Sequence, residues 1–362
     1  MKLSLSHLLI FVPVAFLIHF VPALSNQIAL FAACCLGIIP LAKVMGDATE
    51  IIADKSGPTV GGLLNATLGN AAELIIGLIA LSKGYTDIVK ASLTGSIIGN
   101  LLLVVGISMV AGGMKYKTQS FSKTHTNAAA TALIMAAISL FLPTVYHYTA
   151  EHSQAGWSEA NGFKVSVGIS FIILITYASQ LLFSLKTHVT PTGMREGTPK
   201  EQQVGIAEHA WSFRQALGIL GVTTVIIAVL SEYMVGSIEA VREGLGLSAV
   251  FIGVIVVAIV GNAAEHSTAV LMALKNKMDL SLEIAIGSSM QVAMFIAPLL
   301  VLCSWYLGHP MSLEFTIPEV FAVMSTVWIT AHIVSDGECN WVEGAQLLSV
   351  YFILGVLFFY LP

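Results

Sequence analysis

The pentapeptide Gly69-Asn70-Ala71-Ala72-Glu73 returns as Gly261-Asn262-Ala263-Ala264-Glu265, and each copy lies inside a long apolar run. A charged carboxylate at the centre of a bilayer costs a few kcal/mol even on mild insertion scales. Paying that twice needs a chemical reason, and two kinds of chemistry use buried carboxylates: holding a hard cation and carrying a proton. The Gly-Asn before each glutamate is a weak point in a helix, because glycine and asparagine both disfavour the helix interior. A break there frees backbone carbonyls as cation ligands. Asn70 and Asn262 each add an amide oxygen about one turn from the acid. Tight helix packing by small residues accounts for the Ala pairs but not for a Glu after both. The resulting donor set is all oxygen, which suits Ca²⁺ with its six to eight ligands in a flexible shell. No Cys or His is placed symmetrically. His266 follows Glu265, but Leu74 holds its place in the first copy, so His266 is read as packing or tuning.

The run after each pentapeptide carries more polar groups: Ser96 and Asn100 after the first, Ser288 and Gln291 after the second. They can complete a cation shell or hydrogen-bond a protonated glutamate. Gly95 and Gly99 form a small-residue packing pattern and are read as such. The candidate metal ligands are therefore Glu73, Glu265, Asn70, Asn262, Ser96, Asn100, Ser288 and Gln291, with Glu73 and Glu265 also the proton carriers. One Ca²⁺ or two protons neutralise the pair, whereas the empty, doubly charged site is costly to carry across a membrane. Obligatory exchange follows from electrostatics.

These residues need elements that hold them at depth. The 362 residues are 56% hydrophobic and 10% charged, with mean hydropathy +0.85, against about a quarter charged in soluble domains. The fold class is an all-α polytopic membrane protein. At about 20 apolar residues per crossing, eleven spans are expected near 6–24, 28–54, 59–83, 86–113, 125–147, 163–186, 213–242, 248–275, 281–307, 317–335 and 342–361. The first has some features of a signal peptide, with Lys2 before an apolar run and Ala23-Leu24-Ser25 after it, but its length favours a membrane helix. The four cysteines show neither disulfide nor metal spacing and read as filler.

Shifted by 192, residues 69–99 align with 261–291, pairing Lys83 with Lys275, Asp87 with Asp279 and Gly95-Ser96 with Gly287-Ser288. Upstream the shift is 189, pairing Leu41 with Leu230, Met45 with Met234 and Glu50 with Glu239. The expected organisation is an extra N-terminal helix (1–25), a first repeat (28–186), a polar, acidic cytoplasmic linker (187–212) and a second repeat (213–361). Five spans is an odd number, so the second repeat enters the membrane inverted, as in many secondary transporters. Lys and Arg in the loops divide eleven to four, which puts the N-terminus in the cytoplasm and the C-terminus outside. Glu73 precedes Lys83 by ten residues, as Glu265 precedes Lys275; at 1.5 Å per residue both carboxylates lie about 15 Å deep, near the midplane. Glu50 and Asp54 at the inner mouth and Glu239 at the outer are candidates to concentrate cations on approach, alongside a reading as ordinary interfacial charges.

Residues 63–75, Leu-Leu-Asn-Ala-Thr-Leu-Gly-Asn-Ala-Ala-Glu-Leu-Ile, resemble the first α-repeat of the Ca²⁺/H⁺ antiporters, the cation/proton exchanger (CAX) family. Residues 261–265, Lys275-Asn276-Lys277-Met278-Asp279 and 287–295 resemble the second. The resemblance implies two inverted five-helix repeats around a central site, with spans 2 and 7 as sliding gating helices. It also implies Glu73 and Glu265 as alternating Ca²⁺ and H⁺ carriers. Vacuolar relatives carry a strongly acidic helix between the repeats, of which Glu196, Glu201 and Glu208 are a thin version. The lack of a long N-terminal tail resembles a prokaryotic member in the cell (inner) membrane. A Na⁺-coupled exchanger of the same superfamily is the nearest alternative, and a Ca²⁺-permeable channel a more distant one. The expected partners are Ca²⁺, H⁺ and lipid, with no cofactor, no nucleic acid and no enzymatic activity; a homo-oligomer is compatible with this reading.

Overall fold

In a computed structural model the protein is described over residues 5–151, 158–182 and 211–361. The linker acids Glu196, Glu201 and Glu208 lie outside the described residues. Among the described residues there are thirteen helical segments of eight residues or more: α1 (Leu5–Phe20), α2 (Gln27–Lys55), α3 (Pro58–Leu68), α4 (Ala71–Ser82), α5 (Thr86–Lys115), α6 (Lys123–Glu151), α7 (Glu159–Leu182), α8 (Phe213–Gly236), α9 (Ile238–Leu245), α10 (Ala249–Leu274), α11 (Met278–Tyr306), α12 (Ile317–Ile333) and α13 (Trp341–Tyr360). Among the described residues eight of these are long and apolar enough to cross a membrane, and α1, α4 and α12 are shorter apolar helices.

Local chemistry sets the boundaries. Asn26 caps α2 by accepting from the Ala29 N–H at 3.0 Å, and Gly57, at φ +83°, turns the chain into α3. Reciprocal capping boxes start α8 (Ser212 with Gln215), α12 (Thr316 with Glu319) and α13 (Asn340 with Glu343), each satisfying two otherwise unpaired backbone N–H groups. The N-terminal apolar run is a helix of the fold: Ala15 is fully buried and Val12 packs over Gly37 of α2. The most extensive helix pairing is between α5 and α10, followed by that between α2 and α8.

Two departures from the expected spans bear on function. The 59–83 span is two helices, α3 and α4, separated at Gly69–Asn70 as the glycine and asparagine predict. Its counterpart α10 runs unbroken through Gly261-Asn262; there Asn262 Nδ2 donates to the Ala258 carbonyl at 2.9 Å, and a π-helical segment at Ile252–Val257 takes up the irregularity one turn earlier. The 213–242 span stops at Gly236, and Ser237 joins it to the short α9.

One end of the molecule gathers the tails of α5 and α10. Lys115 Nζ donates to the Leu274 carbonyl at 2.9 Å, and Gln119 Nε2 to the Ala273 carbonyl at 2.9 Å. There a two-residue ribbon, β1 (Gln119–Ser120) against β2 (Glu338–Cys339), ties the α5–α6 loop to the α12–α13 loop. At the opposite end Lys90 Nζ donates to the Glu314 carbonyl at 2.8 Å, and His147 Nδ1 lies 3.2 Å from Glu314 Oε2.

Candidate cation site

The break before α4 places Glu73 in the first turn of that helix, where the positive end of the helix dipole faces an anion. Glu265 sits mid-way along α10. The two carboxylates lie near enough for their charges to interact. Close backbone approach makes this possible. A Cβ on Gly261 would lie 3.2 Å from Glu73 Cγ, so only glycine there leaves the Glu73 stem ordinary space.

Around the glutamates runs a belt of amides and hydroxyls from both halves of the chain. Asn70 Nδ2 donates to Gln291 Oε1 at 2.6 Å, and Ser288 Oγ donates to Asn70 Oδ1 at 3.0 Å. Asn100 Nδ2 reaches Ser288 Oγ at 3.0 Å and Asn262 Oδ1 at 3.3 Å. Asn262 Nδ2 extends the belt to Ser96 Oγ at 2.9 Å. Asn70, Ser96, Asn100, Asn262 and Ser288 are buried. All six polar side chains singled out beside the two acids thus form one hydrogen-bonded chain. Ser288 also adjoins Glu265, whose Oε2 is buried with no hydrogen-bond partner.

His266 belongs to the belt as well: its Nε2 lies 3.0 Å from Asn100 Oδ1. Sequence spacing gave this contact no symmetric partner to suggest it. Ser92 is a second addition, lining a narrow cleft with Glu73, Gly77 and Ser96.

The helices around the belt are irregular where they cross. Gly99–Val104 of α5, Ile252–Val257 of α10 and Val292–Ile296 of α11 are π-helical, a deformation found often at functional sites. Gly95 confirms its packing role, since a Cβ there would lie 2.2 Å from the Val254 carbonyl oxygen.

Among the described residues no three His, Cys, Asp or Glu converge on one point. A cation at this belt would take two carboxylates and fill its shell with amide, hydroxyl and carbonyl oxygens, as a hard ion prefers.

The approaches differ. From Glu73 the cleft runs toward the α4 C-terminus and ends among Ile88, Val89, Met234, Val235 and Ile238, all buried and apolar. On the other side Glu50 and Asp54 are exposed along α2, and Asp47 of the same helix pairs with Lys43 at 3.7 Å. Glu239 is bound instead by Arg242, at 3.1 and 3.3 Å, which neutralises it as an attractor.

The sequence profile of the sodium/calcium exchanger protein family matches residues 26–186 and again 215–360. A Ca²⁺/H⁺ antiporter of Aphanothece halophytica is 44% identical over 98% of this chain and 96% of its own. The Ca²⁺/H⁺ antiporter ChaA of Bacillus subtilis is 46% identical over 92% of each. The solved structure of native YfkE superposes with a TM-score of 0.84 at 40% identity, covering 99% of this chain and all of that one. The chain belongs to the sodium/calcium exchanger protein family, among relatives that are Ca²⁺/H⁺ antiporters.

Proposed function

We propose that this protein exchanges Ca²⁺ for H⁺ across the membrane by alternating access, with Glu73 and Glu265 binding the two ions in turn. The observation that carries the reading is the convergence of two glutamates, one from each half of the chain, beside a hydrogen-bonded chain of buried amides and hydroxyls. Two facing carboxylates in a low-dielectric interior cannot both stay charged without a counter-ion. Ca²⁺ satisfies both at once. When it leaves, protons take its place, and the neutral site returns. The asparagines and serines supply oxygens to the cation and exchange partners with one another when it is gone.

The same reading takes the chain as eleven crossings, an N-terminal helix followed by two inverted five-span repeats. The twice-matching family profile and the α4/α10 correspondence support it. With the N-terminus in the cytoplasm of a prokaryotic cell and the C-terminus outside, Lys55, Lys115 and Lys275 lie on the inner face and Lys83 on the outer. On that orientation the buried apolar plug at Met234, Val235 and Ile238 closes the outer path, and the exposed acids of α2 line an inward-facing mouth.

Coupling to Na⁺ is the competing reading, since the family profile takes its name from sodium/calcium exchangers. The 44% and 46% identities to Ca²⁺/H⁺ antiporters favour protons. Radiolabelled Ca²⁺ flux into proteoliposomes decides between them. An imposed pH gradient is expected to drive uptake and a Na⁺ gradient at equal pH to leave it unchanged; the reverse pattern would establish the sodium reading.

A further inference from the structure

Lys83, at the outer end of α4, reaches across to α8. Its Nζ lies 3.7 Å from Glu232 Oε1 and donates to the Glu232 carbonyl at 3.2 Å. It also stands 3.7 Å from where a Cβ on Gly236 would be. This one ammonium therefore bridges the two halves of the chain beside the point where α8 gives way to α9. It does so over the apolar plug of Met234, Val235 and Ile238.

The repeat alignment assigns each of these positions a counterpart. Lys83 corresponds to Lys275, Glu232 to Lys43 and Gly236 to Asp47. If the halves exchange conformations when access alternates, Lys275 comes to α2 as Lys83 now comes to α8. Lys43 is the wrong sign to receive it. Asp47, however, occupies the place of Gly236, whose Cβ position already touches the ammonium in the present state. In this structure Asp47 pairs with Lys43 at 3.7 Å and both side chains are two-fifths to one-half exposed, so the carboxylate stands at an accessible surface. Lys275 is exposed at the end of α10.

We propose that Lys83–Glu232 and Lys275–Asp47 are alternating latches, the first holding the outer side shut in the present state and the second holding the inner side shut in the opposite one. The inner latch shares its acid with Lys43, and a lysine there repels Lys275 where Glu232 attracts Lys83. The inner latch is the weaker, which biases the resting protein toward the inward-facing state. Exposed pairs of this kind shift an equilibrium by about fivefold at most, so the latches tune the access equilibrium without blocking it.

The latches rest on the antiport reading, and the test keeps the two apart. Full-length protein is reconstituted in vesicles, and pH-gradient-driven Ca²⁺ flux is measured before any variant; absence of flux removes the antiport reading and the latches with it. With flux established, double-cysteine variants are made in a chain whose Cys34, Cys35, Cys303 and Cys339 are replaced by alanine, and a short bifunctional thiol reagent is applied. Lys83→Cys/Glu232→Cys is expected to cross-link at rest. Asp47→Cys/Lys275→Cys is expected to cross-link at least about tenfold faster during turnover than at rest, stopping flux until the link is cleaved. The proposal is overturned, with antiport intact, if that pair links no faster than Asp47→Cys/Lys277→Cys. Should the cysteine-free chain not transport, charge reversal in the native background decides: Asp47→Lys is expected to slow flux about fivefold and added Lys275→Glu to restore it, and no restoration overturns the pairing.

Discussion

In the proposed exchange Glu73 and Glu265 work as a pair, because neither has another acid to lean on. Among the described residues no group of three His, Cys, Asp or Glu converges there, so on that proposal each would carry half of the formal charge a divalent ion needs. Glu73→Gln or Glu265→Gln removes one of the two buried negative charges that would face the bound cation, a change of several kcal/mol in such settings. Proton-driven Ca²⁺ flux should fall by about 30-fold or more in either variant, and full flux in either would contradict the assigned roles. Asn100 acts differently: it touches Asn262, Ser288 and His266 at once. Asn100→Leu strands three buried polar groups, so a loss of about 1–3 kcal/mol of stability is expected for each group left unpaired, together with weaker Ca²⁺ binding, read by thermal melts with and without Ca²⁺. Outside the membrane-spanning helices, burial raises the Glu314 carboxyl above its ordinary value of 4.5, against the opposing charges of His147 and Lys90. An acid with a raised folded value lends stability that is fully present below the ordinary value and lost as pH climbs through the raised one. Melting temperature should therefore decline as pH rises above about 4.5, and Glu314→Gln should flatten that slope; an unchanged slope would place the titration elsewhere.

The elements hold this pair in register through close helix crossings. A Cβ on Gly95 would meet the Val254 carbonyl oxygen at 2.2 Å, so Gly95→Val pushes α5 and α10 apart. Overpacking of this kind costs about 1–3 kcal/mol, and a lowered unfolding temperature in detergent is the expected result. Gly261→Ala is milder, its Cβ 3.2 Å from Glu73 Cγ. It should weaken Ca²⁺ affinity more than stability; equal Ca²⁺ affinity would mean that Glu73 does not need its present position. Much of this layout was readable from residue order. The doubled pentapeptide, the ten-residue spacing to Lys83 and Lys275 and the downstream Ser and Asn positions led to the belt, because each is a local departure from apolar sequence. The asymmetry was not readable. Identical Gly-Asn pairs break the helix before α4 but not α10, since a side chain-to-carbonyl bond from Asn262 and an upstream π segment depend on what α10 packs against. The break at Ser237 and the His266–Asn100 contact are likewise tertiary, and the β1–β2 ribbon joins loops more than 200 residues apart.

At the scale of the molecule, the chain closes one side of the site with apolar residues and leaves acids exposed on the other. In the proposed cycle gating acts around a site whose composition stays fixed. The proposed exchange requires that Ca²⁺ and protons compete for the same two carboxylates. Channels and Na⁺-coupled exchangers make no such demand. Proton release on Ca²⁺ binding tests it most directly: purified protein in weakly buffered detergent solution is titrated with Ca²⁺ while pH and bound Ca²⁺ are followed together. Acidification of up to about two protons per bound Ca²⁺ is expected, reduced to about one or fewer in Glu265→Gln. Saturable Ca²⁺ binding in the wild type without any proton release would contradict it.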